Sequence, residues 1–419
     1  MERYKVYKDS GVQWIGEIPS HWELRRIKYI FSELKEKSEK GLETPLSLSK
    51  DSGIIPFDEK KNKTMESASY VGGKIVHKGE IVFNRFKARL FAVSGYDGIV
   101  SSDYAVYKCR ELASPKYMVR LFGTEMYRDA FNRKASGIGD GFSRLYSDDL
   151  FAMFSIFPPL YEQEIIVKHI ESISSKIDGY VAEKEKEIQL LQELKQKTIA
   201  DAVTKGLNRD VKMKDSGISW IGEIPEHWFQ YRFATLFKEK SICNYVNEEL
   251  LSVYLDRGVI KFSEDNSRRT NPTSKDLSKY QLVDIGDFVL NNQQAWRGSV
   301  GVSKYRGIIS PAYFIFSMSP KIDREFANYL LRSTSYVAYY FVCSKGIGSI
   351  QRNLDWGALK QKKIAIPPID EQHAIVAYID EKCQKIDTLV SELQAEIDYM
   401  KEYKQRLIAD CVTGQVKVQ

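Results

Sequence analysis

FPPLYEQEIIVKHIESISSKIDGYVAEKEKEIQLLQELKQKTIADAVT, residues 157–204, recurs without a gap at residues 366–413 as IPPIDEQHAIVAYIDEKCQKIDTLVSELQAEIDYMKEYKQRLIADCVT, an offset of 209. Both copies open on Pro-Pro and Glu-Gln and close on Ile-Ala-Asp. Proline fits the first turn of a helix but not its interior, so Pro158-Pro159 and Pro367-Pro368 predict helix starts. Alternate steps of four and three residues from Ile166 then meet apolar side chains at seven positions of ten, and from Ile375 at eight of ten. That 3.5-residue repeat predicts a coiled-coil seam through Ile166, Ile170, Ile173, Ile177, Leu191 and Leu194 in the first copy. In the second it runs through Ile375, Ile379, Ile386, Leu389, Leu393, Met400 and Leu407. At ~1.5 Å per residue, about 40 residues make a helix of roughly 60 Å. Such a helix cannot bury its stripe alone, and the simplest partner is the other copy. The alternative is two independent amphipathic helices, each packed on its own domain, which Gly179 inside the first seam would suit.

The duplication extends beyond the helices. KDSGVQWIGEIPSHW (Lys8 to Trp22) returns as KDSGISWIGEIPEHW (Lys214 to Trp228) at an offset of 206. Between this opening motif and the helix the likeness survives in patches: GEIVFN from Gly79 against GDFVLN from Gly286, and GIVSSDYAVY from Gly98 against GIISPAYFIF from Gly307. The chain is therefore a tandem repeat of one unit of about 200 residues. Its boundaries divide the sequence into 1–156, 157–212, 213–365 and 366–419. The ends of the unit are nearly identical between copies, whereas the interior keeps a strand-like skeleton and changes its polar residues. Two related modules that recognise different things fit that pattern.

A chain of 419 residues has room for two or three domains. It contains no run near the ~18 apolar residues of a membrane helix and starts on the polar MERYKVYKDS, so a soluble, cytoplasmic protein is expected. Five cysteines without a C-x-x-C pair argue against a zinc site or a disulfide framework. The net charge of +6 is unevenly placed. Residues 1–156 hold 26 Lys/Arg against 21 Asp/Glu and residues 213–365 hold 21 against 15, while the helical stretches are net acidic. Basic globular modules facing a polyanion would show that division.

Within each unit, short β-branched and aromatic runs bounded by glycine predict strands at residues 80–84, 99–107, 287–291 and 308–316. Proline-started amphipathic stretches predict helices at residues 115–133 and 320–340. Residues 151–157 and 363–366 read as last strands leading into the long helices. Each module is accordingly mixed α and β.

Enzyme chemistry is hard to place. GIGDG at Gly137 to Gly141 lacks the third glycine of a dinucleotide loop and the G-K-[ST] of a phosphate loop. The Asn271-Pro272 pair is not followed by the Pro and aromatic of an amino-methyltransferase loop. His21 and His227 repeat, each before a tryptophan, but no acid, base or metal ligand beside them is shared by both copies, which favours packing over catalysis. What the module interiors do offer is side chains suited to base edges and phosphates. In the first they are Asn84, Arg85, Lys87 and Arg89, then Ser143 and Arg144. In the second they are Arg268 and Arg269, then Asn291, Asn292, Gln293, Gln294 and Arg297 around Trp296, then Gln351, Arg352 and Asn353. Asn and Gln pair bidentately with adenine and Arg with guanine, while Lys mostly meets phosphate. Asn84 aligns with Asn291, and Arg144 with Asn353. Four consecutive amides at 291–294, directly after a strand, are unusual for a plain turn.

The opening motif D-S-G-x-x-W-I-G-E-I-P-x-H-W, the P-P-[LI]-x-E-Q helix start and the duplicated layout together resemble the specificity subunit of a type I restriction-modification system. The resemblance covers essentially the whole chain. It implies an α+β fold in which two target-recognition domains, 1–156 and 213–365, each read one half of a split DNA sequence. It also implies that the helical repeats, a central spacer at 157–212 and a distal region at 366–419, pack antiparallel with pseudo-twofold symmetry, space the domains and dock partners. Those partners would be two methyltransferase subunits, with two restriction (motor/nuclease) subunits in a restricting complex. S-adenosylmethionine, ATP and Mg²⁺ would act on the partners and no cofactor on this chain. Competing readings are a protein-protein adaptor and a stand-alone DNA-binding regulator.

Overall fold

The computed structural model describes residues 2–49, 53–60, 69–86, 90–137, 143–264, 276–347 and 351–418. It divides into two compact units, Met1–Lys184 with Ala395–Gln419, and Glu185–Gln394.

In the first unit, β1 (Phe31–Leu34), β2 (Ile81–Asn84), β3 (Phe91–Val93) and β4 (Tyr104–Cys109) form an antiparallel sheet in the order β1-β4-β2-β3. Side chains alternate across a strand, and here both faces are covered, which is why residues 81–83 read as a continuous apolar run. Phe83 and Tyr107 face a large core with Tyr117 and Phe122 of the helix Pro115–Phe122. Val82 and Val106 face a smaller cluster with Leu46, Ile54 and Val76. A hairpin of β5 (Ser136–Gly137) and β6 (Ser143–Arg144) follows.

The long helix α1 (Leu160–Lys205) begins in this unit and ends in the second. The second unit repeats the sheet as β7 (Phe237–Lys240), β8 (Phe288–Asn291), β9 (Val300–Val302) and β10 (Tyr313–Met318), in the order β7-β10-β8-β9. Its hairpin is β11 (Ser344–Ile347) with β12 (Gln351–Leu354). The helix α2 (Ile369–Val412) starts here and ends in the first unit. Each compact unit thus combines one module with part of each long helix, a division that runs across the two helical segments drawn from the sequence.

Several expected elements are shorter. The strand read at 99–107 is Gly98–Val100 and Tyr104–Cys109, parted by a turn in which Tyr104 N–H donates to Ser101 O at 3.1 Å. Its counterpart breaks at Ser310-Pro311, where proline has no ladder donor. The helix expected at 115–133 is two helices, Pro115–Phe122 and Glu125–Lys134, separated at Thr124, whose hydroxyl donates back to Leu121 O at 2.7 Å. Ser333 makes the same bond to Leu330 O at 2.7 Å and divides Arg324–Arg332 from Thr334–Val342. Hydroxyl residues compete with the helix ladder in this way, and the 3.6-residue period does not reveal it.

The Pro-Pro-x-x-Glu-Gln start is a lock between helix and module. Gln163 is fully buried. Its amide nitrogen donates to Pro158 O at 2.8 Å and Leu112 O at 3.0 Å, and its carbonyl accepts from Ser114 N–H at 2.8 Å. Gln372 repeats all three bonds with Pro367 O, Lys321 O and Asp323 N–H. Beside them Glu162 accepts from Trp22 Nε1 at 2.9 Å and meets His21 Nε2 at 2.7 Å. Glu371 does the same with Trp228 at 3.1 Å and His227 at 2.8 Å. Both repeated histidines therefore do have an acid beside them, contrary to expectation, because the opening motif and the helix start meet in space. Burial raises the Glu162 pKa, but hydrogen bonds from Trp22, His21 and Tyr161 outweigh it and hold the carboxyl below its ordinary 4.5.

Within each unit the long helices run antiparallel. In the first, Asp178 pairs with Lys404 at 2.7 Å and Tyr180 hydrogen-bonds Glu396, so the chain advances on α1 and retreats on α2. In the second, Asp387 pairs with Lys195 at 2.7 Å, the same ion pair under the 209-residue offset. The seam differs in part from the heptad reading. Ile166, Ile170, Ile177, Ile375, Ile379, Ile386 and Leu407 are buried, while Ile173, Leu191, Leu393 and Met400 are half-buried. Leu194 is 51% and Leu389 is 47% exposed, and Val181 and Ile397, off the heptad walk, are buried. A straight helix drifts about 20° per heptad from a 3.5 repeat, so a fixed four-three walk leaves the buried stripe. Ile166 and Ile170 also pack into their own module's core, as Ile375 and Ile379 do into theirs, so both alternatives for the helices are partly realised. Among the described residues, no helix is long and apolar enough to cross a membrane.

Candidate nucleic-acid interface

In each module the candidate residues that the structure describes converge on one construction, the turn after a central sheet strand tied to a hairpin strand. Leu145 N–H, next to β6, donates to Arg85 O at 3.0 Å, and Leu354 N–H in β12 donates to Asn292 O at 3.2 Å. These bonds match under the repeat, so the backbone of the site is common to both modules. The side chains on it are not.

In the first module, Asn84 Oδ1 accepts from Phe86 N–H at 2.9 Å and starts the turn. Arg85 turns inward, its Nη2 at 2.6 Å from Glu33 Oε1 and 3.2 Å from Ser147 Oγ, with Lys74 Nζ on the same carboxylate oxygen at 3.1 Å. Arg85 is 14% and Glu33 15% exposed. Burial raises the Glu33 pKa, yet bonds from Ser147 and Lys74 and the charge of Arg85 keep it below its ordinary value, while burial lowers Lys74 despite Glu33. Arg144 lies 4.8 Å from the Phe86 ring centroid and donates to Asp103 at 2.9 Å, joining hairpin to turn. Ser143 is half-buried beside it on β6. Lys87 and Arg89 lie outside the described residues.

In the second module Asn291 Oδ1 accepts from Gln293 N–H at 3.0 Å and Gln294 N–H at 3.2 Å. Asn292 Oδ1 accepts from Leu354 N–H at 2.9 Å. Two of the four consecutive amides are thus occupied, Asn291 in an Asx geometry also made by Asn84 and Asn292 in the tie to β12. Gln294 is half-buried, while Gln293 and Arg297 are exposed. Arg297 lies 4.7 Å over the Trp296 ring, and that ring is 6.3 Å from Phe341. Arg352 covers Phe341 at 4.3 Å and donates to Ser344 O at 2.8 Å. Asn353 is half-buried and pairs with Lys345 across the hairpin. The backbone of Gln351 is in β12. Arg268, Arg269 and Asn271-Pro272 lie outside the described residues.

Sequence reasoning missed the aromatic backing. Phe86 and Phe341 support an arginine each, and nothing in the local pattern of either distinguished it from core. It also missed Glu33 and Lys74, far from Arg85 in the chain. Among the described residues, no three His, Cys, Asp or Glu side chains cluster as metal ligands.

Residues 236–399 match the family described as the type I restriction modification DNA specificity domain. The type I restriction enzyme MjaVIII specificity subunit of Methanocaldococcus jannaschii is 28% identical over 281 residues, 62% of this chain and 61% of its own length. The protein of the same organism named as the type I restriction enzyme MjaX specificity subunit is 23% identical over 99% of this chain and 98% of its own. Among solved structures, the HsdS subunit from Thermoanaerobacter tengcongensis superposes with a TM-score of 0.53 at 14% identity, covering 95% of this chain and 98% of that one. A chain from a structure of the assembly and conformational transition of the type I R-M system reaches 0.67 at 15% identity, over 95% and 99%. The resemblance drawn from the opening motif and the helix start is borne out.

Proposed function

From its likeness to type I restriction enzyme specificity subunits, we propose that this chain is the non-catalytic, DNA-reading member of a type I restriction-modification complex. Each module reads one half of a bipartite target, and the helical regions dock methyltransferase subunits, with restriction subunits joining in a restricting complex. Adenine methylation with S-adenosylmethionine, and ATP- and Mg²⁺-dependent cleavage, belong to those partners in this reading.

The observation that supports it best is the paired site. Both modules tie the turn after a sheet strand to a hairpin by equivalent bonds, Leu145 N–H to Arg85 O and Leu354 N–H to Asn292 O. On that common frame they place different polar side chains. A divided target needs one scaffold carrying two different reading surfaces, whereas an adaptor for two identical subunits would gain nothing from divergence there.

The test is binding of the chain, purified with its methyltransferase, to DNA that carries the methylated motif. Affinity should fall by about a hundredfold or more between roughly 50 and 200 mM salt, and a change in either half-site should weaken it. Affinity indifferent to salt and sequence would favour the adaptor.

A further inference from the structure

The four amides at 291–294 differ in what their side chains are free to do. Asn291 and Asn292 spend their carbonyls on the backbone of the turn and of β12. Gln294 N–H takes up Asn291 Oδ1, and its own side chain is half-buried. Gln293 is exposed, and its backbone is gripped from both sides: its N–H donates to Asn291 Oδ1 at 3.0 Å and its C=O accepts from Trp296 Nε1 at 3.0 Å. Ala295, just beyond it, is fully buried, and the turn closes at Gly298 with φ +100°, a conformation strained for other residues. The same indole that fixes Gln293 carries Arg297 on its face, and Phe341 supports the indole.

We infer that Gln293 and Arg297 are the pair through which the second module reads base edges, and that Asn291 and Asn292 are positioning residues that hold the turn. This rests on the DNA-reading function proposed above. The chemistry suits the roles. A planar amide offers one donor and one acceptor to the N6/N7 edge of adenine, and a guanidinium offers two donors to O6/N7 of guanine. A backbone held at both its N–H and its C=O loses little further freedom on binding, so more of the contact energy appears as discrimination. Among the described residues of the first module, Phe86 stands where the second has Gln293, and Arg85, aligned with Asn292, is drawn inward onto Glu33.

The experiment uses complexes of the full chain with its methyltransferase and compares the methylated motif, by single-molecule sequencing, with the thermal unfolding midpoint of each variant. Gln293→Ala should relax one base position of one half-site by about tenfold or more, leaving the other half-site and the midpoint unchanged. Arg297→Ala should do so at a nearby position of the same half-site. Gln293→Glu, which keeps the shape but only accepts hydrogen bonds, should move the preference away from adenine. Asn291→Ala should lower the midpoint and reduce methylation across the motif without altering base preference. If the unaltered complex methylates a split motif and both Gln293→Ala and Arg297→Ala keep every base preference, the assignment is overturned while the DNA-reading function stands. If no split motif depends on this chain, both fall together.

Discussion

At the scale of single residues, the repeated motifs are explained by bonds between segments far apart in sequence. Gln163 and Gln372 each satisfy three backbone groups, one buried and two part-buried. Their replacement by alanine leaves those groups unpaired, and Gln163→Ala or Gln372→Ala should cost about 2–4 kcal/mol. Hydrogen exchange should then quicken in the unit that carries the change and not in the other. Glu162 makes a pH prediction. Its folded-state pKa lies below the ordinary 4.5, so the stability it contributes is complete above that value and is lost as pH falls through the folded pKa. Denaturant unfolding should find Glu162→Gln less stable than the parent at pH 7, with the gap closing in acid; a constant gap would deny the carboxylate its role. The sequence showed that His21, Trp22, Glu162 and Gln163 recur together but not that they touch. Similarity between copies marks a residue as structural without naming its partner.

At the scale of elements, the long helices were the most legible part of the chain and their contacts the least. Paired prolines and apolar periodicity located both starts within two residues. The heptad walk then put Leu194 and Leu389 in the seam, where they are half exposed, and passed over Val181 and Ile397. Fully buried Ile397 and the ion pairs contribute unequally to the helix pair. Ile397→Ala should cost about 2–4 kcal/mol by opening a cavity, whereas Lys404→Ala removes a pair whose carboxylate is 63% exposed and should cost under about 1 kcal/mol. Gly179→Ala, at an exposed helical position with nothing near the added methyl, should stabilise by about 0.5–1 kcal/mol. Thermal unfolding of the three variants orders them, and a larger loss for Lys404→Ala than for Ile397→Ala would reverse this view of the pair. Strands and helices in the modules were located but drawn too long, because the hydroxyls of Thr124 and Ser333 divide the helices and Pro311 lacks a ladder donor, chemistry that periodicity does not carry.

At the scale of the whole molecule, duplication carried the reading. One unit with a near-identical frame and a divergent interior pointed to two related recognition modules, and the repeated turn-to-hairpin tie is a common backbone that carries different side chains in each. The proposed reading residues were only partly legible, since amides that build a turn and amides left free have the same letters; Asn291 and Gln293 are separated by their bonds alone. In the proposed function, this chain makes methylation depend on a bipartite sequence. Single-molecule sequencing of adenine methylation in cells carrying the chain and its methyltransferase, against cells lacking only this chain, tests that most directly. A split motif should appear with the chain and vanish without it; methylation that is absent, or the same in both, would overturn the proposed function.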